Sequence, residues 1–220
     1  MGGERRDRLG GIIVVAAALA ASCATSHPAR PLGRGNAVGQ GSLGGPIVEV
    51  DETPLPAPIL IVGGGYGLTE RWDAYGRVDV TAAAYGDLHV EPGVAFHPLV
   101  REGGLVPTLT VAGSVHVLTD FGALRAGPQL TGLSAWRFGR GHMVYVGADA
   151  GTLFGGRTRV LAGPLVGGEA RAGRLGIVAE LKWLSPWYDV KPLAPTWVSP
   201  GDHGYVALLV GCNVYWGDVK

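Results

Sequence analysis

The chain has 220 residues in which 18 Lys and Arg balance 18 Asp and Glu, so no net field favours nucleic acid or a strongly acidic partner. Glycine supplies 38 residues, well above the usual share of about 7%. Lysine is confined to Lys182, Lys191 and Lys220, whereas a soluble surface normally carries many more lysines and glutamates. The length suits one domain of ordinary size.

The first element is an address. Arg5, Arg6 and Arg8 precede an apolar run over residues 12–21, about half of the roughly 20 residues that a membrane-crossing helix needs. A basic stretch, a short apolar run and small residues before a cut are the parts of a signal peptide. The run closes on Leu19-Ala20-Ala21-Ser22-Cys23, which resembles a bacterial lipobox, with Ala20 in place of the commoner Leu. The resemblance implies that residues 1–22 are removed and that Cys23 becomes lipidated, carrying diacylglycerol on its sulfur and fatty acyl chains such as palmitate. Ala24, rather than Asp, is what that resemblance implies for an outer-membrane lipoprotein. Soluble secretion after an Ala-x-Ala-like cut is the other outcome this segment allows. With Cys23 lipidated, Cys212 has no disulfide partner.

From residue 24 to 57 Gly, Pro, Ser and other small residues prevail without a sustained apolar period, which predicts a flexible tether of about 30 Å end to end. Pro46-Ile47-Val48-Glu49-Val50 is a candidate for a short extended piece within it. The domain organisation expected is therefore a signal peptide at 1–22, a lipidated tether at 23–57 and a folded domain at 58–220.

Beyond Pro58 the chain alternates in polarity between Gly-bearing turns, the pattern of an antiparallel strand meander. Strands are predicted at 58–68, 75–85, 88–98, 105–118, 124–137, 141–154, 157–171, 173–184 and 203–216. Within 174–184, Leu175, Ile177, Ala179, Leu181 and Trp183 share one face, against Arg174, Gly176, Val178, Glu180 and Lys182. In the last segment Val206, Leu208, Val210, Cys212, Val214 and Trp216 form the apolar face, so Cys212 reads as a small hydrophobe. Ala126-Gly127-Pro128 and Ala162-Gly163-Pro164 open similar segments two strands apart. The fold class expected is all-β, an antiparallel up-and-down β-barrel of about 8 to 10 strands, closed so that no edge is exposed.

Periodicity leaves open which face points inward. In a lipocalin-like barrel the apolar face encloses a greasy ligand; in an outer-membrane barrel it faces lipid and the polar face lines the interior. Segment length matches the roughly 9 to 11 residues of a tilted membrane-crossing strand, and Trp72, Tyr75, Tyr85, Trp136, Trp183, Trp187, Tyr188, Tyr215 and Trp216 fall near segment ends, as interfacial girdles do. On these residues the region 58–216 resembles the small eight- to ten-stranded outer-membrane barrels of Gram-negative bacteria. The resemblance implies an even strand number, which a tenth strand within 185–202, or a first segment outside the barrel, would restore. The chain ends Gly217-Asp218-Val219-Lys220 rather than on the terminal aromatic of those barrels.

No catalytic signature stands out. Gly63-Gly64-Gly65-Tyr66-Gly67 has the look of a dinucleotide loop, but no helical pattern follows it, and strand glycines near a neighbouring wall explain it. His89, His97 and His116 share the polar face with Asp79, Glu91, Asp149, Glu169 and Glu180, without metal-ligand spacing. Arg77, Arg137, Arg157, Arg159, Arg171 and Lys182 project to the same side, which predicts a salt-bridged interior. Ser114 and His116 lie two apart on one face, the remaining hint of a lipid A-modifying enzyme. No catalytic residue, cofactor or metal is assigned. The expected function is that of an outer-membrane β-barrel lipoprotein with a structural or interaction role and a filled or narrow interior. Membrane lipid is its expected partner, through Cys23 and the barrel exterior. The alternatives are a tethered lipocalin-like carrier of an apolar ligand in the periplasm and the lipid A enzyme.

Overall fold

Alternating polarity becomes alternating burial in the computed structural model, which describes residues 27–50, 53–154, 159–189 and 198–219. The signal peptide, Cys23 and Arg157 lie outside the described residues. The strands are β1 (Ala37–Val50), β2 (Thr53–Pro56), β3 (Ile59–Gly67), β4 (Trp72–Asp79), β5 (Leu88–Leu99), β6 (Thr108–Thr119), β7 (Leu124–Phe138), β8 (His142–Leu153), β9 (Arg159–Ala172), β10 (Leu175–Asp189) and β11 (His203–Trp216). They run β11-β10-β9-β8-β7-β6-β5-β4-β3-β1, and β11 pairs back onto β1, Ala37 opposite Trp216, closing a barrel of 10 strands. β2 stays outside the barrel and pairs only with the overhanging end of β1, from Ile47 opposite Pro56 to Val50 opposite Thr53. The all-β, up-and-down barrel expected from the sequence is the fold observed, at the upper end of the expected strand number.

Two expectations are corrected. Residues 37–50, read as part of the tether, form β1 and supply the missing barrel strand, which is not hidden in 185–202. Of that stretch, Ser185–Asp189 extends β10 past a register shift, Pro200–Asp202 makes one 3-10 turn, and 190–197 lie outside the described residues. Gly39, Gly41, Gly44 and Gly45 erase the alternation that marks the other strands. Trp216 compensates by lying across Gly39, its ring 3.0 Å from where a Cβ would sit. The second correction concerns 75–85. This strand stops at Asp79, whose carboxylate accepts from the Ala82 backbone N–H at 2.9 Å and caps the short helix α1 (Val80–Ala84), as N-cap aspartates do.

The apolar face points outward. On β10, Leu175 is 45% exposed, Ile177 49% and Leu181 43%, while Val178, Glu180 and Lys182 between and beside them are buried. Exposed aromatics gather at both rims, with Tyr66, Trp72, Phe138 and Trp216 at the mouth where β1 starts and β11 ends and Tyr85, Phe121, Phe154 and Trp187 at the other. Trp72 stacks on Phe96 with centroids 4.7 Å apart. Strands of 12 to 15 residues dominate β5 to β11. At about 3.3 Å per residue and a tilt of about 40° they stand about 30–40 Å tall.

Candidate functional site: a plugged polar lumen

Inward positions of neighbouring strands place opposite charges side by side. Arg77 on β4 is the register partner of Glu91 on β5, and its Nη1 donates to Glu91 Oε1 at 3.0 Å. On β10, Lys182 Nζ lies 3.3 Å from Glu180 Oε1 and 3.8 Å from Asp149 Oδ2 of β8. Tyr145 Oη donates to Glu180 Oε2 at 2.8 Å. His97 sits 2.9 Å from Asp73 Oδ2 on one ring nitrogen and 2.9 Å from Thr110 Oγ1 on the other. These groups are buried, so each charge depends on its partners. Removing one partner of such a set costs about 3–5 kcal/mol because the other stays behind without solvent.

The lumen is closed by the chain's own N-terminal segment. Residues 27–32 run inside the barrel, with His27, Ala29, Arg30 and Leu32 buried. His27 Nδ1 lies 3.0 Å from Glu180 Oε1, and its Nε2 lies 3.7 Å from Asp149 Oδ2. Arg30 Nη2 donates to Glu169 Oε1 at 3.0 Å and also to the Gly141 carbonyl. Glu169 further accepts from Tyr215 Oη at 2.6 Å and Asn213 Nδ2 at 3.0 Å. The Leu32 backbone N–H donates to Asp73 Oδ2 at 3.0 Å. Ala29 packs with Leu133, Ala135, Met143, Tyr145 and Leu165 from β7, β8 and β9. The cavity left along the segment is about 30 Å³, the volume of about one water.

Glycines make the segment fit. A Cβ on Gly67 would fall 1.8 Å from the Gly33 carbonyl oxygen, and one on Gly65 would fall 3.3 Å from Leu32 Cδ1. The Gly63–Gly67 run is therefore a thinned wall against which the segment lies, which answers the dinucleotide-loop likeness. Gly33 and Gly35, with φ of +76° and +79°, turn the chain out of the lumen and back into β1, a backbone region that side chains disfavour.

Towards the far mouth stands a second polar group. His89 Nε2 faces His116 Nδ1 at 3.1 Å, His116 Nε2 pairs with Gln129 Oε1, and Asp79 Oδ2 lies 3.9 Å from His89 Nδ1. The two ring nitrogens of His116 are taken by His89 and Gln129, so the two-residue spacing of Ser114 and His116 does not produce a Ser–His pair. Among the described residues no group of three or more His, Cys, Asp and Glu is arranged to hold a metal ion.

The polar-face residues read from the sequence meet as expected. His89, His97, His116, Asp79, Glu91, Asp149, Glu169, Glu180, Arg77, Arg137 and Lys182 are all buried in the lumen, and Arg171 is half-buried at its mouth. The side chain of Arg159 lies outside the described residues. Sequence reasoning missed His27 and Arg30, whose wall partners lie 153 and 139 positions away. The predicted inner face, with five acidic and six basic residues, carried no acidic surplus that could have signalled them.

Fold and lumen together define a plugged, ten-stranded antiparallel barrel with an apolar exterior. No protein-family model matches the chain, and no curated protein matches it in sequence. Among solved structures it is similar to an outer membrane channel from Pseudomonas putida F1, at 10% identity over 87% of this chain and 99% of that one, with a TM-score of 0.42. It is also similar to a bacterial polysaccharide outer membrane secretin, at 9% identity over 84% and 98% of the two chains and a TM-score of 0.38. A third, Ail, the attachment invasion locus protein of Yersinia pestis, matches at 11% identity over 83% and 99%, with a TM-score of 0.27. What the barrel does rests on its own geometry.

Proposed function

We propose that the protein is an outer-membrane β-barrel lipoprotein with a structural or interaction role, its lumen filled by residues 27–32 and its N-terminus acylated at Cys23. The observation that carries this reading is the inversion of burial, with aliphatic side chains outside and ion pairs inside. A barrel in water would expose its charges and bury its leucines; this one needs an apolar solvent around it. The two aromatic rims fit membrane interfaces. The short β7–β8 and β9–β10 turns share one mouth, as periplasmic turns of such barrels are short, and a lipid on Cys23 would add a second attachment to an embedded domain. The polar inner face and the small cavity along residues 27–32 favour this reading over the lipocalin-like alternative. The lipid A enzyme has no Ser114–His116 pair to act with.

Membrane fractionation and acyl labelling test this. Cys23→Ser is expected to abolish incorporation of labelled palmitate while the protein still sediments with the outer membrane and shows heat-modifiable migration. A Cys23→Ser protein that becomes soluble contradicts the embedded barrel, and undiminished palmitate labelling contradicts the anchor.

A further inference from the structure

At the mouth where β11 ends, two tight turns stand side by side. Gly139-Arg140-Gly141 links β7 to β8, and Gly173-Arg174 links β9 to β10. Gly139, Gly141 and Gly173 have φ of +56°, +99° and +60°, which lets both turns close within two or three residues. Between them opens a cavity of about 350 Å³ lined by Arg137, Arg140, Arg171 and Phe138, with Glu102 as the one carboxylate among the described lining residues.

Backbone carbonyls position two of these guanidiniums. Arg137 Nε donates to the Arg101 carbonyl at 2.9 Å, and Arg171 Nε donates to the Gly173 carbonyl at 2.8 Å. A third cation stands directly behind, because Arg30 and Arg171 share the Tyr215 ring, at 5.7 and 4.6 Å from its centroid. The nearest lumen carboxylate, Glu169, is already occupied by Arg30, Asn213 and Tyr215. Like charges gathered at one site raise each other's energy, and an anion between them relieves it. Planar guanidinium forks match phosphate oxygens two at a time.

We propose that this cavity binds the phosphate group of a phosphomonoester or phosphodiester, held chiefly by Arg140 and Arg171. Two sources of that chemistry reach the site. Phe138, half exposed on the outer wall of the same rim, brings it level with lipid headgroups, and the mouth itself opens to water. The lipid source rests on the membrane reading above; phosphate binding does not.

Full-length protein in phosphate-free detergent, offered phosphatidylglycerol and read by native mass spectrometry, tests the proposal, with inorganic phosphate titrated in parallel. Wild type is expected to retain the lipid, Arg140→Ala/Arg171→Ala to retain at least tenfold less, and Arg125→Ala, at the far mouth, to behave as wild type. Arg140→Ala alone, in an exposed turn, is expected to lose at least threefold and serves if the double variant does not fold. Displacement of the lipid by millimolar phosphate, or phosphate binding without lipid retention, supports a site for the free group; lipid retention without displacement supports a headgroup site. Equal retention by wild type and the arginine variants, or no binding of either probe by wild type, overturns the proposal. Failure of the membrane reading alone would appear as lost membrane sedimentation with phosphate binding intact.

Discussion

His27 Nδ1 lies 3.0 Å from Glu180 Oε1 although 153 positions separate the two residues. One belongs to a segment with no regular structure and the other to the middle of β10, so the contact ties the start of the described chain to the far side of the barrel wall. It also gathers His27, Lys182 and Tyr145 around a single buried carboxylate.

Glu180→Ala removes the carboxylate nearest to Lys182 and His27, leaving Asp149 at 3.8 and 3.7 Å, and takes away the acceptor of Tyr145. A loss of about 3–5 kcal/mol in folding stability is expected, read as a lower urea midpoint in refolding followed by heat-modifiable migration. Glu180→Gln keeps the shape and an acceptor for Tyr145, and is expected to lose less. Equal effects of the two substitutions would mean that the carboxylate's charge contributes little.

Deleting residues 27–32 empties the lumen while leaving the strand ladder untouched. Wild type is expected to be silent in planar bilayers and the deletion variant to conduct, with preference for cations because Glu169 loses its Arg30 partner and Asp149 and Glu180 lose their contacts to His27. A folded deletion variant that stays silent, or one that prefers anions, contradicts the plug.

Val166→Arg separates the two possible surroundings of the barrel. The side chain is 49% exposed on the outer wall of β9. In lipid an arginine near the midplane costs about 2–4 kcal/mol, whereas on a water-facing surface the change stays within about 0.5 kcal/mol. Reversible urea unfolding in liposomes is the measurement.

Gly167→Ala tests the fit of the inner wall. A Cβ there would fall 2.4 Å from Tyr145 Cζ, while one on Gly132 meets nothing within 4 Å. Gly167→Ala is expected to cost about 1–3 kcal/mol through overpacking, and Gly132→Ala to be close to neutral. The same refolding assay compares them.

The wall of the barrel was legible because its physics is local. Period-two polarity in 88–98, 124–137, 141–154 and 203–216 marks β5, β7, β8 and β11 to within a residue at each end. β1 was not legible, since Gly39, Gly41, Gly44 and Gly45 carry no side chains to alternate and its stability comes from pairing with β3 and β11 and from the cover of Trp216. The end of β4 was misread because a run of small residues after Asp79 suits a strand or a capped helical turn, and the Asp79 to Ala82 hydrogen bond decides it. The lumen residues were readable as one face, yet most of their pairing was not, because apart from Glu180 and Lys182 the ion pairs join different strands or the segment at 27–32. The segment at 27–32 left almost no trace: the side-chain partners of His27 and Arg30 lie far along the chain, and Pro28 and Pro31 give it the look of a linker.

The orientation of β10 decides most directly whether this barrel faces lipid. Nitroxide labels placed singly at 177, 178, 179, 180 and 181, in full-length protein reconstituted into bilayers, report collision with oxygen, which concentrates in lipid, and with a water-soluble nickel complex. The lipid-facing arrangement predicts that Ile177, Ala179 and Leu181 sites collide with oxygen and are shielded from nickel, while Val178 and Glu180 sites are shielded from both. Nickel access at 177, 179 and 181 would contradict it.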